Sequence, residues 1–164
     1  MTLLSEEDLA IYEVKKAIDR HISARNYLVA TELISTIAHK KQFLICKQLL
    51  DNLDNHYVDE SLMSTVYVRL LFNYCDAIIE LGLYADVIAN ATKGWRLAVA
   101  HQTYQYLKCF ALTLANAFFH TGHSQKSLAY IALSYYLAKI EKSKLYMEIA
   151  TTFAQDRLAT DITK

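Results

Sequence analysis

Leu112–Tyr136 reads LTLANAFFHTGHSQKSLAYIALSYY, and this stretch decides the fold. An apolar helical run stops at Thr121-Gly122-His123, Ser124 stands where a helix cap is wanted, and a second apolar run follows. That is the pattern of a helical hairpin. It returns as YCDAIIELGLYADVIANATKG at 74–94 and, more faintly, as LISTIAHKKQFLICKQLLDNL at 33–53. Aligning Phe43, Tyr84 and Ser124 as the first residues after each turn gives offsets of 41 and 40. A near-constant period argues for stacked helix pairs and against an up-down bundle, and such stacks bind far more often than they catalyse.

Composition agrees. A chain of 164 residues suits one domain. With no proline and 3 glycines it has little turn chemistry for a many-stranded sheet, so an all-α fold of about eight helices is expected. Formal net charge is zero, which lacks the basic footprint of a phosphate-binding surface, and direct binding to nucleic acid is not expected. The charges are nevertheless uneven. Between Val87 and Ile140 there is no Asp or Glu, while Lys93, Arg96, Lys108, Lys126 and Lys139 fall there. That segment could favour an anionic group, although scattered lysines on solvated helix faces are the plainer explanation.

Cys46, Cys75 and Cys109 are widely spaced in apolar surroundings and read as small buried hydrophobes in a reducing compartment. The start MTLLSEEDLAIYEV is acidic, unlike a signal peptide, and no apolar run approaches membrane-spanning length. A cytoplasmic chain with no membrane contact is expected.

Taken in order, Ser5-Glu6-Glu7-Asp8 has the form of a helix start, and a flanking helix occupies 1–24, running to about Arg20 and covering one end of the stack. Hairpins follow over 25–60, 61–102 and 103–142 within a single domain. In the first, the join falls near His39-Lys40-Lys41-Gln42, the second helix carries Phe43 to Leu53, and Asp59 or Ser61 caps what comes next. Gly82 breaks the second hairpin and Thr103 caps the third. A last helix within 143–164 presents Leu145, Met147, Ile149, Phe153 and Leu158, closing the other end or supplying an oligomer contact.

The third hairpin resembles the tetratricopeptide repeat. Leu114-Ala115, Phe118, Gly122, Ser127, Ile131 and Ser134 fall at that family's large, small, aromatic, Gly, small, large, small spacing. The matching run in the second is Tyr74-Cys75, Ile78, Gly82-Leu83-Tyr84, Val87, Ala91 and Gly94. Small residues there let two helices approach closely, and a glycine inside a helix is costly unless a neighbour needs the missing side chain. The period exceeds the family's 34 residues and its closing proline is absent. Longer, proline-free pairs in a Tyr-rich chain look like the C-terminal sensing domain of the peptide-responsive regulators of Gram-positive bacteria, the Rgg, PlcR and NprR type. The resemblance covers about 26–158. It implies a short right-handed superhelix, a concave groove for a signalling peptide, a homodimer, and a role in transcription regulation and quorum sensing. The helix-turn-helix such regulators carry is not found in this sequence.

In such repeats the first helix of each pair lines the groove. The phase selects Arg69, Phe72, Asn73 and Asp76 in the second pair, and Leu112, Asn116, Phe119 and His120 in the third. Asn73 and Asn116 are amides in apolar helices, where burial without partners costs about 1 to 3 kcal/mol. Each either pairs with a peptide backbone or bonds a neighbouring helix within the core. Arg69 either holds a peptide carboxylate or pairs with Asp76 or Glu80. The aromatic set of Tyr104, Tyr106, Phe110, Phe118, Phe119, Tyr130, Tyr135 and Tyr136 is mainly core by spacing. His120 and His123 flank a turn without zinc-site spacing, so no metal or cofactor is expected, and no nucleophile, phosphate-loop or CxxC motif signals an enzyme. A peptide-binding regulatory domain is the first expectation. The alternative is an interaction scaffold or chaperone that shields an apolar segment of a client.

Overall fold

The computed structural model describes residues 5–39, 47, 50, 51 and 64–164; these form helices joined by short turns, with an irregular tail over 159–164 and no strand, so the fold is all-α. Among the described residues the helices are α1 (Glu6–Ser23), α2 (Tyr27–His39), α3 (Ser64–Ile79), α4 (Tyr84–Ala100), α5 (Leu107–His120), α6 (Ser124–Ile140) and α7 (Lys144–Leu158), with a 3₁₀ turn at Tyr104–Tyr106. The expected helix from Phe43 to Leu53, its join at His39–Gln42, the caps Asp59 and Ser61, and Cys46 lie largely outside the described residues. Of them, Lys47, Leu50 and Asp51 are helical and Leu50 is buried.

Each helix begins and ends for local reasons. Ser5 accepts from the Asp8 N–H at 3.1 Å while the Asp8 carboxylate takes the Ser5 N–H at 3.2 Å, a reciprocal cap that starts α1. This helix runs to Ser23, past the expected end at Arg20. Ser124 does not cap α6: it is the first helical residue, and His123 holds the cap position with no side-chain bond. Thr103 likewise caps nothing, and its hydroxyl donates back to the Ala98 carbonyl at 3.5 Å. Gly82 and Gly122 stop their helices at φ of 73° and 79°. Arg25, Gln102 and Lys142 take the same left-handed conformation without being glycine, at the α1–α2, α4–α5 and α6–α7 turns. In those three, the next N–H reaches a carbonyl five residues back: Asn26 to His21, Thr103 to Ala98, Ser143 to Ala138.

Helices pack on their chain neighbours throughout α3 to α7, α1 packs on α2, α2 on α3, and α3 also reaches α5. Contacts recur at fixed separations. Within hairpins, Cys75 Sγ meets the Val87 carbonyl and Ser127 Oγ donates to the Ala115 carbonyl, both 12 residues apart. Lys93 donates to the Tyr67 hydroxyl and Ser134 to the Lys108 carbonyl, both 26 apart. Between hairpins, Arg69 pairs with Glu32 and Cys109 with Tyr146, both 37 apart.

Small residues hold the seams: Ala91, Ala98, Ala111, Ala115, Ala117, Ser127, Ser134 and Ala138 are fully buried. One core runs from Ile18 and Ile34 through Leu70, Leu71 and Ile78 to Phe110. A second joins Ala115, Ile131, Tyr135, Phe153 and Ile162, so the tail after α7 folds back. No helix among the described residues is long and apolar enough to cross a membrane.

Exposure divides the apolar residues of the end helices and the aromatic set. Leu9 and Tyr12 on α1 are 53% and 57% exposed, so only part of its apolar stripe covers the stack. On α7, Phe153 is buried but Leu145 is 63% exposed. Tyr104 and Tyr136 also face outward, whereas Tyr135 and Phe110 are core.

Candidate functional site

The eight residues picked by helical phase sit on α3 and α5; α2 packs on α3, α3 reaches α5, and side chains of α5 bond α7. Arg69 is half-buried and forms a two-pronged pair with Glu32 of α2, one prong at 3.0 Å. This carboxylate partner lies in the preceding hairpin. Phe72 meets Tyr106 and stands edge-on to Phe110 at 6.1 Å. Asn73 is half-buried and Asp76 exposed.

Between these residues and α7 lies a polar joint that the sequence did not signal. Cys109 Sγ and the Tyr146 hydroxyl are 3.2 Å apart. Lys108 Nζ pairs with Glu141, donates to the Gln105 carbonyl at 2.7 Å and lies 5.3 Å from the Tyr146 ring centre. Burial is the first cause pushing the Tyr146 hydroxyl above its ordinary range, followed by its bond to Cys109 and by the charges of Cys109 and Asp76. Burial likewise raises the Cys109 thiol, opposed by the Tyr146 bond and the Lys108 charge. Both groups stay protonated and neutral at neutral pH. Cys75, fully buried in α3, is pushed up to about 12 by burial and by the Asp76 charge. Neither thiol has the ionised form that nucleophilic chemistry requires.

The third-hairpin residues converge on one partner, Arg157 of α7. Asn116 Oδ1 accepts from Arg157 Nη1 at 2.9 Å, and His120 Nε2 lies 3.4 Å from the same nitrogen. The guanidinium rests 5.5 Å from the Phe119 ring centre and 4.9 Å from that of Phe153, and those two rings meet edge-on. His120 also stacks on Tyr84 at 4.8 Å, and Leu112 packs beneath, against the second core. The Asn116–Arg157 bond lies on an exposed face and joins α5 to α7. Arg157 lies 41 residues from Asn116 on another helix, so the periodicity of α5 carries no signal of it. Beside Arg157, α7 borders an open depression of about 400 Å³ lined by Leu145, Glu148, Ile149, Thr152, Phe153, Asp156 and Arg157.

Four of the five cations of the acid-free segment, Lys93, Arg96, Lys126 and Lys139, are exposed on helix faces, and Lys108 alone is buried. Lys108 is buried in its pair with Glu141, Lys93 bonds Tyr67, and Lys126 lies 5.2 Å from the Phe118 ring centre. His123 is taken by the Thr121 hydroxyl at 3.1 Å and by the edge of Phe118. Compared with protein-family models, with curated proteins and with solved structures, the chain gives no match.

Proposed function

We propose that this chain is a peptide-binding regulatory domain of the kind its sequence resembles, taking a short peptide or apolar protein segment along the α5–α7 face. The observation that supports this reading is the Asn116–Arg157–His120 cluster. Three hydrogen-bonding side chains stand half-exposed or exposed above a floor of Phe119 and Phe153. A guanidinium has five N–H donors, so Arg157 bonded to Asn116 keeps capacity for a peptide carbonyl or carboxylate. The aromatic floor favours apolar side chains beside those polar anchors, the combination expected of a peptide site. Occupancy would tie α5 to α7 more firmly and so shift the arrangement of the C-terminal helices, which is how a binding event becomes a signal.

The test is selection of short random peptides on the purified full chain, followed by calorimetry of the enriched sequences. Convergent peptides whose affinity falls at least about tenfold, or 1.4 kcal/mol, with Arg157→Ala support the reading. Absence of convergence, or binding indifferent to Arg157→Ala, overturns it.

A further inference from the structure

Apolar residues run all the way round α6. Inward, in its packing with α5 and α7, it buries Ser127, Ile131, Ser134, Tyr135 and Ala138. Outward, Ala129, Leu133, Tyr136 and Ile140 form an exposed stripe along about 17 Å of helix, with Ile140 78% exposed. The positions 40 residues earlier, on α4, are Ala89, Lys93, Arg96 and Ala100, so the counterpart helix carries charge where α6 carries leucine and tyrosine. A helix that is apolar on every side is one that something covers. Among the described residues nothing covers this stripe.

We propose that the stripe seats on an anionic lipid surface, with α6 lying flat in the headgroup layer. Cations edge it: Lys126 near its start, Lys139 beside Ile140, and Lys142 and Lys144 around the turn that follows, all exposed. The helix itself contains no Asp or Glu. Glu141, the next residue, is taken by Lys108, so its charge is met within the fold. Glu148, one turn into α7, lines the depression beside Arg157. The stripe thus has the chemistry of an interfacial helix: aliphatic side chains at its centre, a tyrosine whose hydroxyl can stay in water, and lysines whose stems span the apolar layer and whose ammonium groups meet phosphate. A docked protein helix is best held in a groove, and the α7 depression includes no residue of α6. A bilayer surface needs no groove. The expectation of no membrane contact rests on run length, which governs crossing and not a helix lying in the interface.

Flotation of the full chain with vesicles tests this. Phosphatidylcholine containing about 30% phosphatidylserine should bind the protein at least about tenfold more strongly than phosphatidylcholine alone, and salt at about 0.5 M should remove most of the difference. Ile140→Ser and Tyr136→Ser, both at exposed sites, should together lower partitioning about tenfold, with the circular dichroism spectrum and urea midpoint unchanged. Lys139→Glu combined with Lys142→Glu should abolish the preference for anionic vesicles, whereas Leu9→Ser on α1 leaves binding as it was. Vesicle binding that is absent, equal for the two compositions, or indifferent to Ile140→Ser with Tyr136→Ser overturns the proposal. So does capture of an acidic amphipathic helical peptide by the stripe with vesicles ignored, which assigns this face to a protein partner. Peptide binding at Asn116 and Arg157 is measured separately and can fail without changing this outcome.

Discussion

Gly94 of α4 lies directly against the ring of Phe110 in α5: a Cβ at Gly94 would stand 2.5 Å from Cε1 and 3.0 Å from Cε2. Phe110 is fully buried and central to the larger core, so its ring cannot swing away. The missing side chain is what lets α4 and α5, and hence two successive hairpins, approach each other.

Gly94→Ala should therefore destabilise the fold, although alanine gains up to about 1 kcal/mol in helix propensity. Overpacking a filled core costs about 1–3 kcal/mol, which outweighs that gain. In urea titrations Phe110→Leu should recover part of the loss, giving a coupling of at least about 0.5 kcal/mol in the double-mutant cycle. Additive effects would show that the backbones move apart without cost.

The pair of Lys108 and Glu141 joins the start of α5 to the α6–α7 turn, with Lys108 only 11% exposed at its side chain. Removing the carboxylate leaves a nearly buried ammonium with the Gln105 carbonyl and the Tyr146 ring as its remaining described partners. Glu141→Gln should cost about 1–3 kcal/mol, and Lys108→Met distinctly less, since an apolar chain of similar length has no charge to strand. The double variant should resemble Lys108→Met in its urea midpoint. Equal losses for the two single changes would mean that Lys108 acts mainly through packing.

The hairpin positions were legible because close helix packing demands small residues at a few sites. Gly94, Ser127 and Ser134 showed this in the sequence, and each meets its neighbour at short range. Caps were less legible. Ser124 and Thr103 are good cap residues, yet these turns are fixed by left-handed Gly122 and Gln102 and by backbone bonds, leaving the side chains no capping task. Helical phase placed Asn116, Phe119 and His120 on one face, but it could not supply Arg157, 41 residues further along. Partners across hairpins depend on how helices stack, and one helix's periodicity carries no such information. Glu32 as the partner of Arg69 was hidden for the same reason.

Cys75 gives a pH signature. Its thiol titrates at about 12 in the fold against 9.0 in an unperturbed chain. Below pH 9 it is protonated in both states and contributes no slope. As pH rises from there, the unfolded chain loses this proton and the folded one keeps it, so stability falls by up to about 1.4 kcal/mol per pH unit from this group. Urea unfolding of wild type and Cys75→Ala should run parallel up to pH 9 and converge above it, the variant falling less steeply. Curves that stay parallel to pH 11 would show that the thiol ionises freely in the folded protein.

Asn116 and Arg157 separate binding from folding. Their bond lies on an exposed face, where a neutral-to-charged hydrogen bond between mobile side chains adds little net stability. Asn116→Ala should thus lower the melting point by no more than corresponds to about 1 kcal/mol, because the half-buried site loses no core contact. For a selected peptide its effect should be larger, since the amide both orients the guanidinium and offers its own donor to the ligand. Calorimetry and thermal melts on the same preparations decide it. A melting shift with affinity intact makes Asn116 a fastener between α5 and α7, whereas a tenfold affinity loss with little melting shift makes it part of the binding surface.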